Sequence, residues 1–221
     1  MAGAEGFGID PDVLHHLCNE IKPLRAAGVA VAVVLGGGNL FRGQALAEDG
    51  MDRVTGDAMG MLATVMNGLA LADVFRRTHL PVTLFSAAGI DGVVPRYNRN
   101  DAADALENGH IVVLAGGTGN PFFTTDTAAC LRGIELGCDA VLKATNVDGV
   151  YDSDPKIHPD AKRFDEVTYD EILARELKVM DLTAVVLAKE NDLPLTVFDL
   201  SLPGGMLAAV TEGSVGTRVV S

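Results

Sequence analysis

Two apolar runs that each end in glycines constrain the fold of this chain more than any other feature. The first run covers residues 29–35 and leads into Gly36-Gly37-Gly38, and the second covers residues 111–115 and leads into Gly116-Gly117. Continuous apolar runs of this length are typical of strands that are buried on both faces of a parallel sheet. A glycine-rich turn after such a strand can open a helix whose first N–H groups are unpaired and can receive an anion. The pattern therefore predicts two phosphate-binding turns.

Helices and strands are predicted to alternate along the chain. Asp10 and Pro11 are typical of the start of a helix, and Gly28 is typical of its end. A long helix is predicted over residues 52–77, and it is apolar over most of its surface. Further strands are predicted over residues 82–85, 111–115, 140–144, 195–198 and 217–220, and further helices over residues 101–107, 124–136 and 181–190. This alternation predicts an α/β fold, a three-layer αβα sandwich with a mainly parallel central sheet.

The amino-acid composition argues against several classes of function. A chain of 221 residues that is 48% hydrophobic can bury a full core, which favours a single domain over residues 1–221. The formal charge of −13 argues against a nucleic acid or an anionic membrane as partner, since both require a basic face. Three cysteines without Cys-x-x-Cys spacing favour neither a disulfide framework nor a zinc site. Residues 58–72 are apolar but include Asn67 and fall short of a membrane span. We expect a cytoplasmic protein.

The strongest functional signal lies directly after the second glycine pair. It reads Thr118-Gly119-Asn120-Pro121-Phe122-Phe123-Thr124-Thr125-Asp126. The two adjacent threonines add hydroxyl donors, and Asp126 adds a carboxylate at a predicted helix start, so the segment can hold a phosphate beside an acid. No glycine in the sequence is followed by lysine, which excludes the P-loop, and neither glycine cluster fits the dinucleotide fingerprint. Binding of a nucleotide would therefore require a fold other than these two.

A third block begins at Lys143 and continues to Pro155. It begins at the carboxyl end of the predicted strand 140–144, and ligands of open α/β sheets gather at the carboxyl ends of strands. Lys143 would place a positive charge at that edge.

These three blocks resemble the bacterial uridylate kinases of the amino-acid kinase superfamily. The similarity covers nearly the whole chain, from Gly6-Phe7-Gly8-Ile9-Asp10 to Gly216-Thr217. Other kinases of the superfamily, which act on acetylglutamate, aspartate or carbamate, share a strand followed by a glycine turn. The segment 118–126 is typical of the uridylate branch. The resemblance implies transfer of the γ-phosphoryl group of ATP to UMP, giving UDP and ADP in pyrimidine nucleotide biosynthesis.

The resemblance also implies a role for individual residues. Those that would bind UMP are Gly37, Asp57, Thr118, Gly119, Asn120, Pro121, Phe122, Phe123, Thr124 and Thr125. Those that would bind ATP are Gly38, Arg42, Thr145, Asn146, Tyr151 and Asp154. Gly38 and Arg42 would hold the transferring phosphates. Otherwise the resemblance assigns UMP to the N-terminal part and ATP to the part from about residue 140. Those that would act in catalysis are Arg42, Lys143, Asp126 and Asp181. Mg²⁺ is expected to accompany ATP and to rely on substrate phosphates, and no metal ligand is assigned.

Several of these residues also have a simpler structural explanation. Asp57 lies four residues after Arg53, a spacing at which two charges on a helix form a surface ion pair. Asp181 could serve as a helix N-cap. Tyr151 and Asp154 lie in a segment rich in Asp and Gly, which also dominate turns. The long apolar helix 52–77 is expected both to pack in the core and to form a subunit interface.

The family resemblance further implies a homohexamer built from dimers, activation by GTP and inhibition by UTP. Family members begin with a strand that runs into Lys-Leu-Ser-Gly-Glu, and this motif is absent from the sequence. We therefore expect Met1 to be an internal methionine of a chain that begins about 20 residues earlier, the length of a strand with its turn. Two alternatives to a uridylate kinase are a catalytically impaired nucleotide-binding or oligomer-forming protein and another phosphotransferase of the superfamily.

Overall fold

The computed structural model describes residues 1–3, 6–41, 50–155, 157–213 and 215–221. The chain divides into two compact units, unit 1 from Met1 to Ala128 and unit 2 from Ala129 to Ser221. Each unit has its own sheet and its own helices. The predicted single domain over the whole chain stays a prediction.

Unit 1 is a parallel sheet with helices packed on it. Its elements are α1 (Pro11–Ala26), β1 (Ala32–Val34), α2 (Arg53–Arg77), β2 (Val82–Ser86), α3 (Arg99–Glu107), β3 (Ile111–Ala115) and the first residues of α4 (Thr125–Leu136). The strand order is β1-β3-β2, and both pairs are parallel. All five residues of β3 are buried, as expected for the middle strand. The carboxyl ends of the three strands consequently lie at one edge of the sheet.

The long helix α2 forms the core of unit 1. The Asp52 side chain caps its first turn by accepting a hydrogen bond from Thr55 N at 2.9 Å. The helix packs against β2, β3 and α1. It has the length and apolar composition of a membrane span, but half of its most apolar window is buried inside the structure. Asn67 in that window is fully buried and hydrogen-bonded, which is typical of a core helix in a globular unit.

Unit 2 contains a mixed sheet. Its elements after α4 are β4 (Val141–Thr145), β5 (Glu166–Thr168), α5 (Tyr169–Ala174), α6 (Leu182–Glu190), β6 (Leu195–Asp199), α7 (Gly205–Thr211) and β7 (Thr217–Val220). The strand order is β4-β6-β7-β5. The pairs β4–β6 and β5–β7 are parallel, and only β6–β7 is antiparallel.

The core of unit 2 is built around Tyr169, which is fully buried together with Val219 and Leu195. The Tyr169 hydroxyl donates a hydrogen bond to Leu193 O at 2.6 Å, so its polar end is satisfied inside the core. Burial raises the pKa of Tyr169 well above its usual value, because the charged phenolate would lose its hydration.

The predicted α/β class with mainly parallel strand pairing is confirmed. Most boundaries agree within two residues, and α2 begins directly after Asp52 as predicted. The first strand differs, because only Ala32–Val34 of the predicted run 29–35 is extended. Its three residues are half-buried, and among the described residues β1 pairs with β3 alone. The half-buried strand differs from the expectation that the run is buried on both faces of the sheet.

Candidate active site

The glycine turn after β1 is held tightly against α2. Gly37 O accepts hydrogen bonds from Leu40 N at 3.0 Å and from Phe41 N at 2.9 Å. Asn67 Nδ2 of α2 donates to Gly36 O at 2.8 Å. A Cβ atom on Gly37 would lie 2.5 Å from Gly60 O, so no side chain fits there. The close approach of this backbone to the helix explains why the turn needs glycine.

The next predicted residue, Arg42, lies outside the described residues, since the structure describes nothing from 42 to 49. Its predicted role in phosphate binding and catalysis stays a prediction.

The second glycine turn, after β3, is held by the same helix. Gly116 N donates a buried hydrogen bond of 2.6 Å to Thr64 Oγ1, and that hydroxyl donates in turn to Met61 O at 2.7 Å. Gly119 N donates to Gly116 O at 3.0 Å, and both glycines have positive φ values of +82° and +77°. Polar groups of α2 therefore fix both turns at the carboxyl edge of the sheet.

The predicted UMP loop, residues 118–125, follows this turn and lies largely at the surface. Asn120 N donates to Thr118 Oγ1 at 3.2 Å, which closes the first part of the loop. Phe122 has φ +71°, a left-handed conformation that is unusual for a bulky residue. The side chains of Phe122 and Phe123 are 65% and 49% exposed. Strained backbone of this kind is found mostly at active sites, ligand-binding sites and switch regions.

Asp57 joins this loop to α2. Its Oδ2 atom accepts a hydrogen bond from Phe122 N at 2.8 Å, across 65 positions of sequence. The same carboxylate pairs with Arg53 Nε at 2.9 Å, and the Arg53 guanidinium carbon lies 5.8 Å from the centroid of the Phe122 ring. The predicted ion pair with Arg53 is therefore present, although the Asp57 side chain is less exposed than in an ordinary surface pair. The carboxylate also contacts the loop that the resemblance assigns to UMP.

The loop ends at the start of α4. Thr124 Oγ1 accepts hydrogen bonds from Asp126 N at 3.1 Å and from Thr127 N at 3.2 Å, so Thr124 caps the helix. Thr125 Oγ1 lies 3.4 Å from the position that a Cβ atom of Gly36 would occupy, which places the helix start beside the first glycine turn. Unit 1 thus brings together both glycine turns, Asp57 and the 118–125 loop.

In unit 2 the predicted catalytic lysine is half-buried. Lys143 is the third residue of β4, and its Nζ atom donates to Val179 O at 2.7 Å. Val179 lies two residues before Asp181, whose Oδ1 atom accepts from Ala184 N at 3.1 Å and caps α6. The simpler explanation of Asp181 as an N-cap is confirmed. Catalytic roles for Lys143 and Asp181 stay predictions.

The predicted adenosine segment follows β4. Thr145 Oγ1 accepts from Val147 N at 2.9 Å, which closes a tight turn around Asn146. The Tyr151 hydroxyl donates to Asp148 Oδ1 at 2.6 Å, and this hydrogen bond raises the pKa of Tyr151. Asp154 O accepts from Ile157 N and His158 N, so that residue also supports a turn. The turn-forming explanation holds here, and the contacts with adenosine stay a prediction.

The described residues contain no group of three His, Cys, Asp or Glu side chains arranged to hold a metal ion. A divalent cation that accompanies a nucleotide keeps most of its waters and needs only one or two carboxylates from the protein, so a group of this kind is not required.

Two residues that hold the unit 1 site, Thr64 and Asn67, were not predicted from sequence. They fix the two glycine turns. A polar residue within an otherwise apolar helix is a signal that could have identified Thr64 and Asn67, since a buried polar group needs a partner.

An open cleft of about 790 Å³ adjoins the loop at Gly119. Its other lining residues, 87–96, come from the segment after β2, which carries none of the predicted site residues.

The sequence profile of the Amino acid kinase family matches residues 3–199. The chain is 54% identical to the uridylate kinase of Pseudoalteromonas atlantica over 219 residues, which are 99% of this chain and 89% of that protein. It is 55% identical to the uridylate kinase of Alcanivorax borkumensis, over 99% of this chain and 87% of that protein.

Solved structures agree with these sequence matches. The UMP kinase of Bacillus anthracis superposes with a TM-score of 0.96 at 38% identity, over 99% of this chain and 91% of that one. The UMP kinase of Ureaplasma parvum superposes with a TM-score of 0.91 at 37% identity, over 96% of this chain and 91% of that one.

Proposed function

Because the chain belongs to the uridylate kinases of the amino acid kinase family, we propose that unit 1 holds the acceptor UMP and that unit 2 holds the adenosine half of the donor ATP. The enzyme transfers the γ-phosphoryl group of ATP to UMP and releases UDP and ADP. The observation that carries the acceptor assignment is the contact between Asp57 and Phe122 N, which joins two distant segments that the resemblance assigns to UMP.

The acceptor side is proposed to bind by shape and by backbone donors. The phosphate would lie against the tight turn at Gly37 and beside the Thr125 hydroxyl at the start of α4. Asp57 supplies a carboxylate that suits ribose hydroxyls, which are hydrogen-bond donors. The loop around Asn120 would then cover the base. Binding by shape and by backbone donors would allow a chain with a net charge of −13 to bind an anion.

The donor side is proposed to use Gly38 and Arg42 for the transferring phosphates, and Thr145, Asn146, Tyr151 and Asp154 for the adenosine. Lys143 would neutralise charge on the phosphates. Its side chain is half-buried, so solvent screens its positive charge less than it screens the charge of a surface lysine. The proposed metal is Mg²⁺, which would reduce the charge of the phosphates when bound. Asp126 and Asp181 are the carboxylates proposed to act near the reacting groups.

Catalysis would rest on alignment and charge stabilisation. Phosphoryl transfer passes through a loose transition state whose charge is spread over three oxygens, so no covalent nucleophile from the protein is needed. Lys143 and Arg42 would stabilise that charge. The two fixed glycine turns would keep the acceptor oxygen in line with the transferring phosphoryl group. Such positioning can by itself remove much of the activation barrier.

We also propose the assembly that the family resemblance implies, a homohexamer built from dimers in the cytoplasm. The support is an apolar face of α2 on which Leu62 and Met66 are 55% and 54% exposed and Met59 is 38% exposed. Contiguous apolar side chains at helical spacing on a surface are typical of a subunit interface. GTP activation and UTP inhibition are proposed on the resemblance alone.

An acceptor panel tests the function. The protein is incubated with ATP and Mg²⁺, and ADP release is followed with UMP, CMP, dCMP and acetylglutamate as acceptors. We expect UMP to give the highest kcat/KM. Phosphorylation of acetylglutamate without that of UMP would instead identify another kinase of the superfamily. Calorimetric binding of UMP without any ADP release would identify a binding protein that lacks catalysis.

A further inference from the structure

Arg53 has no role in the residue assignments made from the resemblance, yet it lies at the centre of the contacts that shape the acceptor loop. It is the first residue of α2, and its Nε atom lies 2.9 Å from both carboxylate oxygens of Asp57. The same carboxylate accepts the hydrogen bond from Phe122 N. Arg53, Asp57 and Phe122 therefore form one connected group, which we name the loop clamp.

The loop clamp differs from an ordinary surface ion pair, and the same helix offers a direct comparison. Arg77 and Asp73 also form an i,i+4 pair with a 2.8 Å contact, but both side chains are 61% exposed. In the loop clamp Arg53 is 46% exposed and Asp57 only 17%. Less solvent screening makes the Arg53–Asp57 pair the stronger constraint on side-chain position.

The third member of the clamp needs such a constraint. Phe122 holds a left-handed backbone conformation at φ +71°, which a bulky residue adopts only where its surroundings enforce it. Two contacts enforce it here. Its N–H group is bound by Asp57, and its largely exposed ring lies under the Arg53 guanidinium at 5.8 Å. A cation at that distance from an aromatic ring is attracted to its face.

We propose that Arg53 is a positioning residue that prepares the acceptor loop for the nucleotide. It orients the Asp57 carboxylate so that one oxygen binds Phe122 N, and it covers the Phe122 ring, so the 118–125 loop is already in shape before UMP arrives. This inference rests on the proposed function, in which that loop binds UMP. Arg53 itself does not touch the reacting groups.

A preorganised loop lowers the cost of binding, because the ordering has been completed in the free protein. Loss of Arg53 therefore raises the KM for UMP and leaves kcat and the KM for ATP close to their normal values. Since Arg53 is nearly half exposed, we expect the KM for UMP to rise by about three- to tenfold.

The test compares Arg53→Ala with Arg77→Ala in the full chain, with kinetics measured for both substrates. Arg77→Ala removes an i,i+4 pair of the same type from the same helix without touching the loop, so both KM values stay unchanged. Arg53→Lys keeps the charge but not the planar guanidinium, so its KM for UMP falls between those of the wild type and Arg53→Ala.

An unchanged KM for UMP in Arg53→Ala overturns the inference. So does an equal rise in both KM values accompanied by a lower Tm, because that result indicates a structural role only. Asp57→Asn separates this inference from the proposed site. If Asp57→Asn raises the KM for UMP and Arg53→Ala does not, only the role of Arg53 fails. If neither variant changes it, the assignment of the loop to UMP fails as well.

Discussion

Replacing Gly37 with alanine tests whether the first glycine turn is as closely packed as its contacts indicate. A Cβ atom at this position would lie 2.5 Å from Gly60 O and 3.0 Å from the Cβ atom of Ala63. Both neighbours belong to α2, and the nearer one is a backbone carbonyl, which cannot rotate away as a side chain could. The turn or the helix must therefore shift by several tenths of an ångström.

The expected cost follows from this geometry. Added atoms in a packed region typically destabilise a protein by about 1–3 kcal/mol, and a clash with helix backbone belongs in the upper half of that range. For a protein of this size each kcal/mol lowers the Tm by about 2–4 °C. Gly37→Ala should consequently lower the Tm of unit 1 by roughly 4–12 °C.

Thermal unfolding by calorimetry measures this change, and the adjacent glycine provides the control. No atom of the described residues lies within 4 Å of the position that a Cβ atom on Gly38 would occupy, so Gly38→Ala should alter the free energy of unfolding by less than about 0.5 kcal/mol. If Gly37→Ala keeps the wild-type Tm, or if Gly38→Ala lowers it equally, the close contact between the turn and α2 is refuted.

Three further predictions follow from the contacts of each unit. Asp57→Asn should raise the KM for UMP about tenfold, since it removes a charged partner of the loop, and steady-state kinetics showing equal loss for ATP would contradict this. Burial raises the pKa of Tyr169 in the folded protein, so as the pH rises the phenolic proton is lost from the unfolded state first. The contribution of Tyr169 to the free energy of unfolding should be constant below about pH 10 and fall above it, and urea midpoints that decline equally in Tyr169→Phe would contradict this. Replacing Leu62 and Met66 by lysine should reduce the oligomer mass measured by light scattering, and an unchanged mass would exclude that face of α2 as an interface.

The long elements could be predicted from the sequence because several local signals agree on them. For α2 the cap at Asp52, the apolar length and the two arginines at its end all indicate the same bounds. The missed elements are short and depend on tertiary contacts. In β5 only Val167 is buried, and the strand exists because it pairs with β7, about 50 positions later. The helix α7 begins at two glycines, Gly204 and Gly205, which by themselves predict a turn.

The same distinction applies to the candidate site. The pairing of Arg53 with Asp57 follows from helical spacing and was foreseen as an alternative. The contact of that carboxylate with Phe122 could not be foreseen, because it joins residues 65 positions apart and depends on how the loop after β3 folds over α2. Lys143 was predicted at a strand end, whereas its hydrogen bond to Val179 O depends on the path of the chain before α6.

A crystal structure of the protein with bound UMP tests the central claim most directly. The account predicts that the phosphate lies against the turn at Gly37, that a ribose hydroxyl reaches Asp57, and that the base lies beside Asn120. UMP found away from the 118–125 loop, or that loop folded so that its side chains fill the pocket, would contradict it.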